Sequence, residues 1–225
     1  MSVLASPEHL IEPIALRPQG RREAGANGSR LKRAIDLAAS LTGLLAFSWL
    51  FVLIAIAIKL DSRGPVFYKQ LRMGKDRQPF TIWKFRTMRT DADALGAQSR
   101  HQGRNSGILF KDLHDPRLTR VGRWLRQTSL DELPQFINIF KGDMSLVGPR
   151  PLPTEDTRYY EEWQWGRLAV LPGLTGLWQV SGRSRLSAEQ MVHLDLYYIE
   201  NWTLGLELYI IAKTFWVLLT RDGAY

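Results

Sequence analysis

Two carboxylates stand side by side at Asp131 and Glu132, inside the stretch TSLDELPQFINIFKGDMSLVGPR that occupies residues 128–150. Arg123 and Arg126 precede the pair, and Gly148-Pro149-Arg150 closes the stretch. Adjacent acids ringed by arginines suit chemistry on a phosphate. A purely structural reading competes. Ser129 and Glu132 have capping-box spacing, in which the Ser oxygen accepts from a first-turn N–H and the Glu reaches back to the cap. Acidic residues also favour a helix start, where unpaired N–H groups and the dipole are positive. Locally, the two readings are both open.

The elements that must position these residues follow from pattern. Pro134 fits a helix only near its start, which predicts a helix with Asp131 in its first turn and Phe136, Ile137 and Phe140 on its apolar face. Residues 121–126 predict a preceding helix that carries Arg123 and Arg126. Gly148-Pro149-Arg150-Pro151 is stiffened by proline, with Gly148 permitting close backbone approach, so it presents Arg150 on a rigid support. Residues 66–70 and 80–86 read as a hairpin around a Gly-Lys-Asp turn at Gly74. Alternation places Lys84 and Arg86 on one face and Trp83 and Phe85 on the other. That basic face reads most simply as solvated. Residues 91–107 are polar and predict a mobile loop or a short helix. Residues 155–168, rich in Tyr and Trp, predict a helix. Residues 172–183 predict a glycine-punctuated loop with a short strand, and residues 186–201 a helix with His193, Asp195, Tyr197 and Tyr198.

The chain of 225 residues carries a formal charge of +8, which implies an anionic partner: nucleic acid, a negatively charged membrane leaflet or a phosphorylated substrate. With no cysteine, a disulfide framework, a thiol nucleophile and thiolate metal sites are excluded. His9, His101, His114 and His193 lack zinc-ligand spacing. Residues 1–29 read as a mobile tail with no secretory-signal pattern. Residues 37–58 are uncharged, about the length that crosses a bilayer as a helix. Arg30, Lys32 and Arg33 precede that run, and Lys59 and Arg63 follow it, so loop charge sets no orientation. A helix that enters and returns satisfies both flanks, with a break at Ser48, whose hydroxyl can bond a carbonyl one turn back. A simple span is the other solution. Residues 204–219 are apolar but interrupted by Glu207 and Lys213, which favours an interfacial helix over a span. The apolar run and the acids inside the basic region argue against a nucleic-acid partner. The expected architecture is α/β, mostly α with a small β-hairpin or sheet. It divides into a tail over 1–29, a membrane-inserted, re-entrant helix over 30–60 and a catalytic domain over 61–225 on the cytoplasmic face.

Several blocks in a fixed order carry a resemblance. These are Lys32-Arg33 with Asp36, the apolar run, and Lys84-Phe85-Arg86-Thr87-Met88. Ser129-Leu130-Asp131-Glu132-Leu133-Pro134-Gln135 follows, then Lys141-Gly142-Asp143-Met144-Ser145 and Gly148-Pro149-Arg150-Pro151. Pro172-Gly173-Leu174-Thr175-Gly176 and Asp195-Leu196-Tyr197-Tyr198 complete the set. From about residue 30 to 225 the chain resembles the monotopic phosphoglycosyl transferases, or bacterial sugar transferases, in the short form that starts exopolysaccharide assembly.

The resemblance implies transfer of hexose 1-phosphate from a UDP-sugar, UDP-glucose or UDP-galactose, to undecaprenyl phosphate at the bacterial inner membrane, with UMP released. It implies a covalent phosphosugar on Asp131, assistance from Glu132, and Mg2+ held by Asp131 and Glu132. It matches Arg126 and Arg150 to phosphate-binding arginines, and makes Lys84, Arg86 and Asp195 candidates for substrate binding. Trp49 stands where the family has a proline after Ser48, which removes the strongest helix-breaking device. A non-catalytic scaffold for polysaccharide assembly is the rival reading. No residue distinguishes the sugars, and none sets the oligomeric state.

Overall fold

A computed structural model describes residues 29–90, 92 and 115–220. The tail expected over 1–29 lies outside them except for Ser29, and the loop expected over 91–107 lies outside them except for Ala92.

The apolar run folds as two helices, α1 (Arg30–Ala46) and α2 (Ser48–Asp61), bent by 58° at Phe47. Ser29 caps α1, its hydroxyl accepting from the Lys32 N–H at 3.2 Å. At the bend the Ser48 hydroxyl donates to the Leu45 carbonyl at 2.8 Å. The break therefore falls where the serine predicts it, without a proline. A hydroxyl that takes up a carbonyl of the preceding turn competes with the backbone ladder there. Among the described residues no single helix is long and apolar enough to cross a membrane; the bent pair has that length and composition together.

The burial pattern of α1 is inverted relative to an ordinary surface helix. The face of α1 turned to the protein is polar or small, with Lys32, Asp36, Ser40 and Gly43 buried. Leu41 and Leu45 point outward, as do Trp49, Val52, Leu53 and Ile56 of α2.

The hairpin forms from β1 (Phe67–Met73) and β2 (Pro79–Phe85), antiparallel from Phe67↔Phe85 to Met73↔Pro79. One face packs on α2: Phe51 meets Phe85 edge-on with ring centroids 5.1 Å apart, beside buried Ile54, Ile58 and Leu125. Helix α3 (Arg120–Thr128) and helix α4 (Gln135–Lys141) flank the acid pair. A second, parallel pair joins β3 (Ser145–Val147) to β4 (Gly173–Thr175). The larger core gathers around it, under α5 (Leu177–Ser181), α6 (Ala188–Glu200) and α7 (Leu204–Thr220). Gly148 follows β3 where a Cβ would lie 2.5 Å from the Leu171 carbonyl oxygen, so only glycine permits this approach.

One expectation is corrected. Residues 155–168 do not form an α-helix; they make two 3-10 turns, Asp156–Tyr159 and Glu162–Ala169. Aromatic residues are weak helix formers. Tyr160 turns extended between the two turns, and its hydroxyl accepts from Arg167 at 2.8 Å. In α7, Glu207 is buried. It points inward, paired with Lys32 of α1 and accepting from the Tyr198 hydroxyl at 2.8 Å. Burial of that carboxylate is tolerated because a cation and a hydroxyl meet it.

Candidate active site

The acid pair is built by a strained turn rather than by a capped helix. Ser129 adopts the left-handed conformation (φ 57°) and makes no side-chain cap bond. The segment Leu130–Glu132 is a 3-10 turn, and Pro134 then starts α4. The capping box suggested by the Ser129–Glu132 spacing is therefore not formed. The turn carries both carboxylates inward, leaving Asp131 4 % and Glu132 7 % exposed. Asn138 of α4, fully buried, locks this region to the hairpin: it accepts from the Trp83 N–H at 3.0 Å and donates to the Thr81 carbonyl at 2.7 Å.

Glu132 lies between two cations from distant parts of the chain. Its Oε1 accepts from Lys84 Nζ at 2.9 Å and from Arg150 Nη2 at 2.7 Å, and its Oε2 accepts from Arg150 Nη1 at 3.3 Å. Burial works against the Arg150 charge, but Glu132 and then Asp131 more than offset it, so its pKa lies above the ordinary value. Arg126 reaches the site from α3, its Nε donating to Thr87 Oγ1 at 3.1 Å. Burial pulls the Arg126 pKa down, and the charge of Asp131, the strongest opposing influence, holds it up. The structure thus brings together Asp131, Glu132, Arg126, Arg150 and Lys84.

Arg86 is not among them. It lies just past the end of β2. Its guanidinium donates to the carbonyls of Arg63 and Ser62, both at 2.8 Å, and so ties the hairpin to the turn after α2. Arg123 is exposed on the outer face of α3. Asp195 is buried in α6, where Arg167 Nη2 donates to its Oδ2 at 2.5 Å. Burial pushes the Asp195 carboxyl up to about 6, against the pull of Arg167. Arg167 Nη2 also donates to the Arg150 carbonyl at 3.0 Å, so Asp195 reaches the acid pair only through two arginines.

Two arginines near the site escaped the sequence reading. Arg72 lies on the same face of the hairpin as Lys84, because Arg72 pairs Phe80 and Lys84 pairs Tyr68 across the two strands. Burial, then the neighbouring positive charge of Arg150, lowers its pKa to about 10, with Glu132 opposing. Extending the alternation of β1 by three residues would have found it. Arg167 carries no local signal: it is one charge in an aromatic-rich segment.

Among the described residues no group of three or more His, Cys, Asp or Glu side chains forms a metal cage. The pair Asp131 and Glu132 is nonetheless a donor set that suits a hard cation such as Mg2+. Such an ion takes one or two carboxylates and fills its other positions with phosphate oxygens and water.

The chain belongs to the bacterial sugar transferase family, whose sequence profile matches residues 27–221. It is 40% identical over 205 residues to the exopolysaccharide production protein ExoY of Rhizobium meliloti, covering 88% of this chain and 89% of that one. It is 40% identical over 202 residues to the undecaprenyl-phosphate galactose phosphotransferase of Salmonella typhimurium, covering 87% of this chain and 42% of the other. The galactosyl transferase CpsE of Streptococcus agalactiae is 39% identical over 194 residues, which is 86% of this chain and 43% of that one. The chain thus spans about two fifths of the length of these last two relatives and most of the first.

Proposed function

We propose that this chain transfers hexose 1-phosphate from a UDP-sugar, UDP-glucose or UDP-galactose, to undecaprenyl phosphate, the first membrane step of exopolysaccharide assembly. The observation that carries the reading is a buried carboxylate, Asp131, next to a glutamate clamped by Lys84 and Arg150, with Arg126 alongside. Family membership and the names of the relatives point the same way.

The reaction proceeds in two displacements at one phosphorus. An Asp131 carboxylate oxygen attacks the sugar-bearing phosphorus of the donor. The bond from that phosphorus to the bridging oxygen breaks, and UMP leaves with the electron pair. The phosphosugar is then held on Asp131 as an acyl phosphate. An oxygen of undecaprenyl phosphate attacks the same phosphorus and restores the Asp131 carboxylate. One transfer between two large anions thus becomes two simpler steps.

Glu132 keeps Lys84 and Arg150 in place without donor, and donor phosphates compete for the same cations. Arg126 and Arg150 neutralise charge on the transferred group. Asp131, with Glu132, would hold Mg2+, which when bound would supply further neutralisation of the diphosphate. Chelation is therefore expected to stop UMP release, with Mg2+ restoring it. The outward apolar side chains of α1 and α2 support a site beside the headgroups, at the cytoplasmic face of the inner membrane, where the acceptor phosphate lies.

The deciding experiment incubates the purified chain with UDP-glucose or UDP-galactose and no acceptor, followed by intact-protein mass spectrometry. A hexose-phosphate adduct that maps to Asp131, is absent in Asp131→Asn and is discharged by undecaprenyl phosphate is the expected result. Normal loading of the carrier lipid by Asp131→Asn would overturn the reading.

A further inference from the structure

Arg150 is held from two directions. Its side chain meets Glu132, while the peptide carbonyls on and after it are taken by two other arginines. Arg167 Nη2 donates to the Arg150 carbonyl at 3.0 Å, and Arg72 Nη1 donates to the Pro151 carbonyl at 3.1 Å. Arg72 comes from the hairpin and Arg167 from the 3-10 segment, so the Gly-Pro-Arg-Pro strip is clamped between elements far apart in sequence.

Arg167 is the more fully committed of the two. It is 3 % exposed, and its donors are spread over three acceptors: the Arg150 carbonyl, Asp195 Oδ2 at 2.5 Å and the Tyr160 hydroxyl at 2.8 Å. A guanidinium has the planar fork needed to hold three acceptors at once; an ammonium is a point charge and does not. A buried Arg–Asp pair costs desolvation energy, and an apolar pair of the same shape would often serve stability as well. A role in setting geometry accounts for retaining it here.

We infer that Arg167, oriented by Asp195 and Tyr160, is a positioning residue that sets where the Arg150 guanidinium meets the donor's diphosphate. Asp195 then acts on the reaction through Arg167 and Arg150 rather than by touching substrate. This rests on the donor being a nucleoside diphosphate sugar, as proposed above. A misplacement of about 1 Å at a phosphate-binding fork is enough to matter.

The test is a double-mutant cycle on the full chain, with UDP and Mg2+ as the probe and equilibrium binding as the readout. Arg167→Lys is expected to weaken UDP binding about tenfold. In an Arg150→Ala background the same change should alter affinity less than about twofold, because the residue through which it acts is gone. Asp195→Asn keeps the shape of the acceptor but not its charge, and should give the same pattern more mildly; it serves if Arg167→Lys does not fold. Equal weakening in both backgrounds overturns the inference. So does unchanged UDP affinity with a lowered unfolding midpoint, which would mark the pair as structural only. Failure of the unaltered chain to bind UDP would overturn the donor reading and this inference together, a result distinct from the other two.

Discussion

Glu132 Oε1 is shared by Lys84 and Arg150, at 2.9 Å and 2.7 Å, although these residues lie 48 and 18 positions away in sequence. Its neighbour Asp131 comes from the same three-residue turn, and its charge acts on Arg126 and Arg150. Two adjacent carboxylates therefore have different tasks. Glu132 holds two cations, and under the function proposed above Asp131 forms the bond to phosphorus.

Replacing Glu132 by Gln should free both cations while leaving them partly buried. Removing one member of a buried ion cluster costs about 3 kcal/mol or more, because the remaining charges lose their partner. The unfolding midpoint of Glu132→Gln should fall, and added UDP should recover more of it than in the unaltered chain, since a phosphate replaces the lost anion. Activity, measured as UMP release, should drop about a hundredfold. A midpoint unchanged by the substitution would contradict the cluster's geometry.

Ser129 separates the strained turn from the capping box. A capping serine changed to Gly loses only a few tenths of a kcal/mol and to Ala about 1 kcal/mol. A serine held at φ 57° behaves otherwise. Ser129→Gly relieves about 1 kcal/mol of left-handed strain, partly offset by extra freedom in the unfolded chain. Ser129→Val should lose about 1 kcal/mol or more, since a β-branched residue resists this conformation. Thermal unfolding in detergent should rank Gly at or above Ser, and Val well below.

Asp195 supplies a pH dependence whose two consequences run in opposite directions. Its carboxyl is raised by burial from 3.8 to about 6, with Arg167 opposing. The folded state thus binds this proton more tightly than the unfolded state, so the contribution of Asp195 to stability falls as pH rises from about 4 to about 6. Activity should move the other way. Above about pH 6 the ionised carboxylate orients Arg167, which also holds the Tyr160 hydroxyl and the Arg150 carbonyl. A plot of UMP release against pH should rise through a step near 6, and Asp195→Asn should lose that step.

The bend at Phe47 decides topology. The chain has no cysteine, so single substitutions can be labelled cleanly. Under the proposed re-entrant topology, with which the 58° bend and the basic residues at both ends are compatible, Ala26→Cys and Arg63→Cys should both react from the cytoplasmic side of membrane vesicles. Labelling from opposite faces would establish a span.

Much of the scaffold is readable in one dimension because its causes are local. The hairpin follows from alternation around Gly74, α6 from the helix read over residues 186–201, and the break in the apolar run from Ser48. The 3-10 turns of 156–169 were not readable this way, since Tyr160 departs from helical geometry to meet Arg167, a contact formed between turns. The same holds at the acid pair. The motif Ser129-Leu130-Asp131-Glu132 marks the place, but its spacing suits a capping box equally well, and only the left-handed Ser129 shows which was realised.

By itself, the sequence determined that a basic, cysteine-free chain joins an apolar run of bilayer length to a phosphate-suited acid pair, because charge, composition and short-period pattern are properties of neighbours. Which cations serve that pair was decided by tertiary structure alone. Lys84 and Arg86 look equivalent in the chain, yet one meets Glu132 and the other ties down the turn after α2. Arg167, without any motif of its own, sits behind Arg150. Such pairings depend on how the hairpin, the acid turn and α6 pack together, and that packing is set by the buried contacts of the whole core.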